Sequence, residues 1–401
     1  MVNFNINKLL YFLLYLFFLL FPFYSVIRVK NIPLALLIMG SLYFLLFSKL
    51  AITKKIRIPI TFFPSILFIF VFIGFGYLVY GRINLRILLI LLWVGVPFLL
   101  LNVIKEEIVL TKIVKILFYS TSFLSFLIIM QFFRFFYFDF IKFHIHKNGL
   151  IRLKGIGPSP NSNSFAVFVF IVFVLSFQFY KKKSIKNNLV YFTLDILLLF
   201  VLVLCESRSL LFGGIISVFF IIFWKRKIKK ELVLNILKSS GVFIIFFLLF
   251  LALIPNKLVV KRIMSVELNY RTIRWSAAFD TWMKAPLTGV GFDNLKIVTS
   301  EEYNIPRKNI HNVYLEILAA TGLLGFFSFG IFLLSIYILI YNLSMISEYY
   351  FYFIAVSTFF IFNITHSMLF VSIFWFLIGF MEVYYFLKRE AIKAKSELNK
   401  V

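Results

Sequence analysis

Cysteine is almost missing from this chain: the single Cys205 in 401 residues excludes an internal disulfide framework and any multi-cysteine metal site. Charge is scarce too, at 14% of residues, and acids are the scarcer sign, with 16 Asp+Glu against 42 Lys+Arg. A chain so poor in charge and 62% hydrophobic, with 57 Phe and a mean hydropathy of +0.99, cannot bury its apolar surface in a water-soluble core. A soluble enzyme, a secreted domain and a disordered chain are excluded. A nucleotide-binding glycine motif, a solenoid-type repeat and a low-complexity domain are also missing. Length alone suggests two or three soluble domains, but the composition predicts one integral membrane domain over 1–401.

What the chain has is apolar runs long enough to cross the hydrocarbon layer as helices. Twelve are predicted: 9–27, 33–48, 60–80, 87–104, 116–133, 165–180, 189–205, 210–224, 240–255, 321–341, 350–368 and 370–387. The first is too long for a signal peptide and lacks a small-residue cleavage site, so it is expected to be a retained helix. The fold class expected is an all-α polytopic membrane protein.

The net charge of +26 is divided among short loops between apolar segments. That distribution favours anionic headgroups and phosphate-bearing lipids over nucleic acid as partners. With the N-terminus inside, twenty-three of the 42 cations fall on inner segments. Of the remaining nineteen, nine lie in the long segment 256–311, where the positive-inside rule loses force. Both termini are therefore expected in the cytoplasm, and 134–164 and 256–311 become the outer loops. In the first, Gly155, Gly157, Pro158 and Pro160 before Asn161 and Asn163 predict a structured re-entry into the next helix. In the second, Trp275, Ala278, Phe279 and Trp282 recur at helical spacing and predict an amphipathic helix near 270–284. Pro286, Gly289 and Gly291 then make a turn before His311.

The polar residues gather at the outer boundary and leave the midplane almost bare. Asp195 lies well inside its span, whereas Glu206, Arg208, Arg271, Arg274 and His311 sit just outside a span or in the long loop. Transporters place binding groups near the midplane, so this distribution suits a lipid-linked substrate whose polar part projects from the bilayer. Each residue has two readings. Arg208, in CESRS, is either an interfacial arginine paired with Glu206 or a fork for a substrate phosphate. Arg271 and Arg274 share a helix face with Trp275; that face is either solvated or a second phosphate clamp, able to stabilise a diphosphate leaving group. His311 stands where a helix begins. The positive end of the macrodipole disfavours imidazolium there, as a general base requires, although a lone histidine is often structural. His144, His146 and His366 are read as structural or interfacial. The outer acids show no metal-ligand spacing in their basic loops, which argues against a divalent-cation site.

The stretch RTIRWSAAFDTWMKAPLTGVGFDNL, followed by IHNVYLEILAATGLLG, resembles the signature region of the bacterial O-antigen ligase and O-antigen polymerase superfamily. SRSLLFGG and KGIGPSPNSNSFA are similar to its two upstream landmarks. The resemblance covers four local motifs from 152 to 325 and the twelve-helix layout. It implies a GT-C-like inverting glycosyltransferase of the bacterial inner membrane that works on the outer face without metal or other cofactor. The implied donor is an undecaprenyl-diphosphate-linked glycan and the implied acceptor a glycolipid. Arg208 and Arg271 would hold the diphosphate, and His311 would activate the acceptor hydroxyl. Arg274, Arg307, Lys308 and Glu316 are accessory candidates. A flippase or exporter of lipid-linked oligosaccharide and a structural assembly protein are the alternatives.

Overall fold

The computed structural model describes residues 6–24, 26–29, 32–80, 85–145, 151–153, 161–180, 185–205, 207, 209–210, 212–217, 269–303, 309–346, 350–367, 369 and 371–398. Two compact units emerge: Met1–Ile52, Ile108–Val266 and Tyr349–Phe359 form the first, and Thr53–Glu107, Glu267–Glu348 and Phe360–Val401 the second. Five helices are long and apolar enough to cross a membrane, and shorter apolar helices accompany them. The protein is an all-α membrane protein.

In the first unit, α1 (Ile6–Leu20) runs on as a 3-10 turn at Phe21–Phe23, followed by α2 (Leu34–Thr53), α6 (Glu107–Phe132), α7 (Ser162–Ser176) and α8 (Ile185–Leu204). Two short antiparallel hairpins, Arg28–Val29 with Ile32–Pro33 and Phe143–Ile145 with Ile151–Leu153, interrupt the helices. Almost every residue of α7 is buried, as expected for a helix apolar on all sides. Asn161 caps it by accepting from the Asn163 N–H. Phe21 meets Phe168 edge-on, and Phe118 packs with Phe179. Asp195 is buried on α8, where it accepts hydrogen bonds from Ser176 Oγ and Tyr180 Oη. Of run 210–224 only part is described, with 212–217 helical, and run 240–255 lies outside the described residues.

The second unit holds α3 (Phe62–Tyr80), α4 (Leu85–Val94), α5 (Val96–Val103), α9 (Asn269–Lys284), α10 (Phe292–Tyr303), α11 (Val313–Ile346) and α13 (Ser372–Leu398). The chain reaches α13 through α12 (Tyr350–Phe362). The run 87–104 divides into α4 and α5, with Pro97 in the first turn of the second helix, where its missing N–H is harmless. On α3, Phe68 packs against Phe329 and Phe332 of α11. On α13, Gly379 lets Leu100 and Pro97 approach so closely that a Cβ would lie 2.7 Å from Leu100 Cδ1. Polar contacts tie the segment before α3 to the middle of α13: Thr61 donates to Glu382 through N and Oγ1, and Arg57 pairs with Glu390.

At about 1.5 Å per residue a helix of 34 residues is far longer than the ~30 Å hydrocarbon layer. Gly322 (φ 64°, ψ −164°) breaks α11 near the expected start of the span at 321. The segment Val313 to Thr321 is thereby a separate helical piece ahead of the apolar stretch.

Candidate functional site

The predicted amphipathic helix is present as α9 (Asn269–Lys284), and the turn after it does more than reverse the chain. At the break in α11, four backbone groups lose their helical partners. The Pro286–Gly291 turn supplies replacements. Val290 and Gly291 N–H donate to Ala319 and Ala320 O at 3.0 and 2.8 Å, while Leu323 and Leu324 N–H donate to Pro286 and Leu287 O at 2.8 and 3.3 Å. This backbone junction requires glycine on both sides. Gly289 (φ +67°) would bring a Cβ to 2.3 Å from Ala320 C, and Gly322 (φ +64°) would bring one to 2.3 Å from Leu287. Ala278, Leu295, Ile310, Ala319 and Ala320 close an apolar core around it, with Trp275 and Trp282 at its edge. The result is that α9, with its arginines, is fixed to the part of α11 that follows His311.

Between α9 and α10, Tyr303 Oη donates to Asp280 Oδ2 at 2.8 Å, and Lys284 pairs with Glu302. The hydrogen bond to Asp280 pushes the Tyr303 phenol up to about 12, so it remains a donor at neutral pH. Helix α10 itself was not foreseen from the sequence; Phe292, Leu295 and Thr299 give it only a narrow apolar stripe.

Arg274 is buried, at 7% exposure, on the face of α9 shared with Ala277, Ala278 and Thr281. Its Nε finds no hydrogen-bond partner among the described residues. Arg271, one turn earlier, is half-buried. The solvated reading of this face therefore fails for Arg274. A buried guanidinium with an unmet donor is costly unless something anionic reaches it.

His311 adopts a left-handed backbone (φ 60°), uncommon for a residue with a Cβ and frequent at functional positions. The next residue explains how it is held. Asn312 Oδ1 accepts from Tyr314 and Leu315 N–H and so caps α11. Val313 N–H donates to Asn363 O, and Tyr314 Oη to Phe360 O. These bonds bring the segment after α12 to the start of α11, and with it His366, whose ring centre lies 6.4 Å from that of His311 at 80° between planes. Fifty-five residues separate the two histidines, and no spacing in the sequence links them. Glu316, one turn into α11, is buried and faces Ser367 and Lys296.

Arg208, Glu206, Arg307 and Lys308 lie outside the described residues. Among the described residues no group of three or more His, Cys, Asp or Glu is placed to hold a metal ion.

Residues 193–330 match the family model described as O-Antigen ligase. The match runs from α8 through the Gly289–Gly322 junction into α11 and takes in Arg208, Arg271, Arg274, His311 and Glu316. No curated protein matches the chain.

Proposed function

We propose, from its place in the O-antigen ligase and polymerase superfamily, that this protein is a metal-independent, inverting glycosyltransferase of GT-C-like fold. It spans the bacterial inner membrane as a single domain of twelve helices, with both termini in the cytoplasm and the 256–311 loop in the periplasm. The donor is an undecaprenyl-diphosphate-linked glycan, and no cofactor takes part. Arg208 and Arg271 hold the diphosphate, with Arg274 as a further cation. His311 removes the proton from an acceptor sugar hydroxyl, the hydroxyl oxygen bonds to the anomeric carbon, and undecaprenyl diphosphate leaves with the electron pair. Cations placed on the departing diphosphate stabilise the charge that develops as the bond breaks.

The observation that carries this reading is the junction within the matched region. It locks an arginine-bearing helix against the helix that His311 precedes. His311 itself is held in a conformation that costs roughly 1–2 kcal/mol. A flippase reading needs ionisable groups lining a path through the membrane. Its midplane candidate, Asp195, is instead engaged by Ser176 and Tyr180.

The test is glycan transfer by purified, folded Arg208→Ala, Arg271→Ala and His311→Ala variants, with and without EDTA. Each is expected to lose on the order of 100-fold or more in rate, and EDTA is expected to change nothing. Undiminished transfer by one variant removes that residue from the mechanism, and loss in EDTA restored by a divalent cation overturns metal independence. Ligase and polymerase differ in acceptor, a lipid A core sugar or a second lipid-linked repeat unit. The glycolipids of a deletion strain separate them: full-length polymer retained on the carrier marks a ligase, single repeats on the core a polymerase.

A further inference from the structure

His366 was read from the sequence as structural or interfacial, and its surroundings suggest more. It is 4% exposed, whereas His311 in front of it is half-buried. Its ring stacks on Phe362 with centroids 4.0 Å apart and planes 5° from parallel, which fixes its orientation. Its Nδ1 lies 3.0 Å from Thr365 Oγ1 and 3.3 Å from Phe362 O. A hydroxyl both donates and accepts, and a carbonyl accepts. Nδ1 is therefore satisfied whether or not it carries the proton, and either neutral tautomer of His366 suits the site. After His311, the ionisable groups at the start of α11 are Tyr314 and Glu316. Tyr314 is engaged with Phe360 O, and Glu316 faces Ser367 and Lys296. His366 is the group whose ring meets that of His311.

We infer that His366 is a positioning residue for His311, a buried imidazole that orients the half-buried one and shares the proton it takes up. The inference rests on the reading of His311 as general base. A base that must accept a proton at one ring nitrogen needs the other nitrogen held by a third group, and catalytic hydrogen bonds are often long before substrate binds. When His311 takes the acceptor hydroxyl proton, the bond from that oxygen to the anomeric carbon forms and the bond to the diphosphate breaks. The proton then rests on the histidine pair, and no further reactant is needed. Protonation of His366 beforehand would place two cations side by side and block this step.

The experiment uses full-length protein in nanodiscs with an undecaprenyl-diphosphate-linked oligosaccharide as donor, offered both a lipid A core glycolipid and a second lipid-linked unit as acceptors. His366→Phe keeps an aromatic ring on Phe362 but has no hydrogen-bonding nitrogen, whereas His366→Gln keeps a donor and an acceptor. The Phe variant is expected to lose on the order of 10-fold to 100-fold in kcat with donor KM unchanged. The acid limb of its pH–rate profile should fall less steeply than in the wild type, because one of two coupled protonations is gone. Partial recovery of kcat in the Gln variant supports a hydrogen-bonding role. Wild-type kcat and pH profile in the Phe variant would overturn the inference, as would equal activity of the Phe and Gln variants. Should the Phe variant fail to fold, the Gln variant decides alone: a wild-type acid limb refutes the pair and a shallower one supports it. Full activity in His311→Ala would sink the base assignment itself. Loss in that variant beside an unaffected His366→Phe would sink only the pairing.

Discussion

A guanidinium at 7% exposure whose Nε lacks a hydrogen bond among the described residues is a liability to the fold unless it serves a ligand. Replacing such a group with an apolar one of similar length commonly leaves stability unchanged or raises it. Arg274→Met is therefore expected to keep or raise the melting temperature in detergent. The same change should weaken donor binding about tenfold, as expected for one charge-assisted hydrogen bond of roughly 1.5 kcal/mol. A lower melting temperature with unchanged donor KM would mark Arg274 as structural. The same separation applies at His311. Glycine tolerates its left-handed backbone and alanine does not, so His311→Gly should be more stable than His311→Ala by about 1 kcal/mol, with transfer lost in both. Equal melting temperatures would show that the backbone there is not strained. Arg271, Arg274 and His311 stand out in the sequence as candidates because helical spacing and a helix start are local signals. His366 does not stand out in the sequence as a candidate because its approach to His311 depends on bonds between residues far apart, Val313 to Asn363 and Tyr314 to Phe360.

Among the elements, the broken helix α11 and the turn docked in it decide where the candidate residues of α9 and α11 sit. Gly289→Ala and Gly322→Ala each combine a left-handed residue with a Cβ thrust against backbone at 2.3 Å. Neither can be relieved by rotating a flexible side chain. Each should cost at least about 2 kcal/mol and be seen as a lower melting temperature with transfer reduced in parallel. Gly330→Ala, which meets nothing within 4 Å, should do neither. A Gly289→Ala variant that melts like the wild type would remove the junction from the account. Hydropathy found most of these elements but misplaced their ends, because it registers the apolar stretch and not the helix. Helix α13 continues to Leu398, beyond the expected end at 387, since Ala, Lys and Glu sustain a helix after the apolar run is over. Helix α12 stops at Phe362, short of 368, and the residues that follow turn toward the start of α11. The two small hairpins and α10 had no strong period to reveal them.

At the scale of the whole molecule, the apolar composition is a match to the bilayer and says little about chemistry, whereas the distribution of cations predicts an orientation. In a Cys205→Ser background, a cysteine at exposed Glu301 should react with a membrane-impermeant maleimide in intact cells lacking an outer barrier. One at exposed Lys395 should react only after permeabilisation. The reverse pattern would place the matched region on the cytoplasmic side and end the proposal of a periplasmic site. The central claim is that this protein makes glycosidic bonds rather than moving or scaffolding lipid-linked sugars. Its most direct test is to count, in proteoliposomes with a lipid-linked donor and its acceptor in EDTA, the undecaprenyl diphosphate released against the glycosidic bonds formed. The account predicts one released per bond with inverted anomeric configuration, and neither product with His311→Ala. Movement of donor across the bilayer with no bond formed would contradict it.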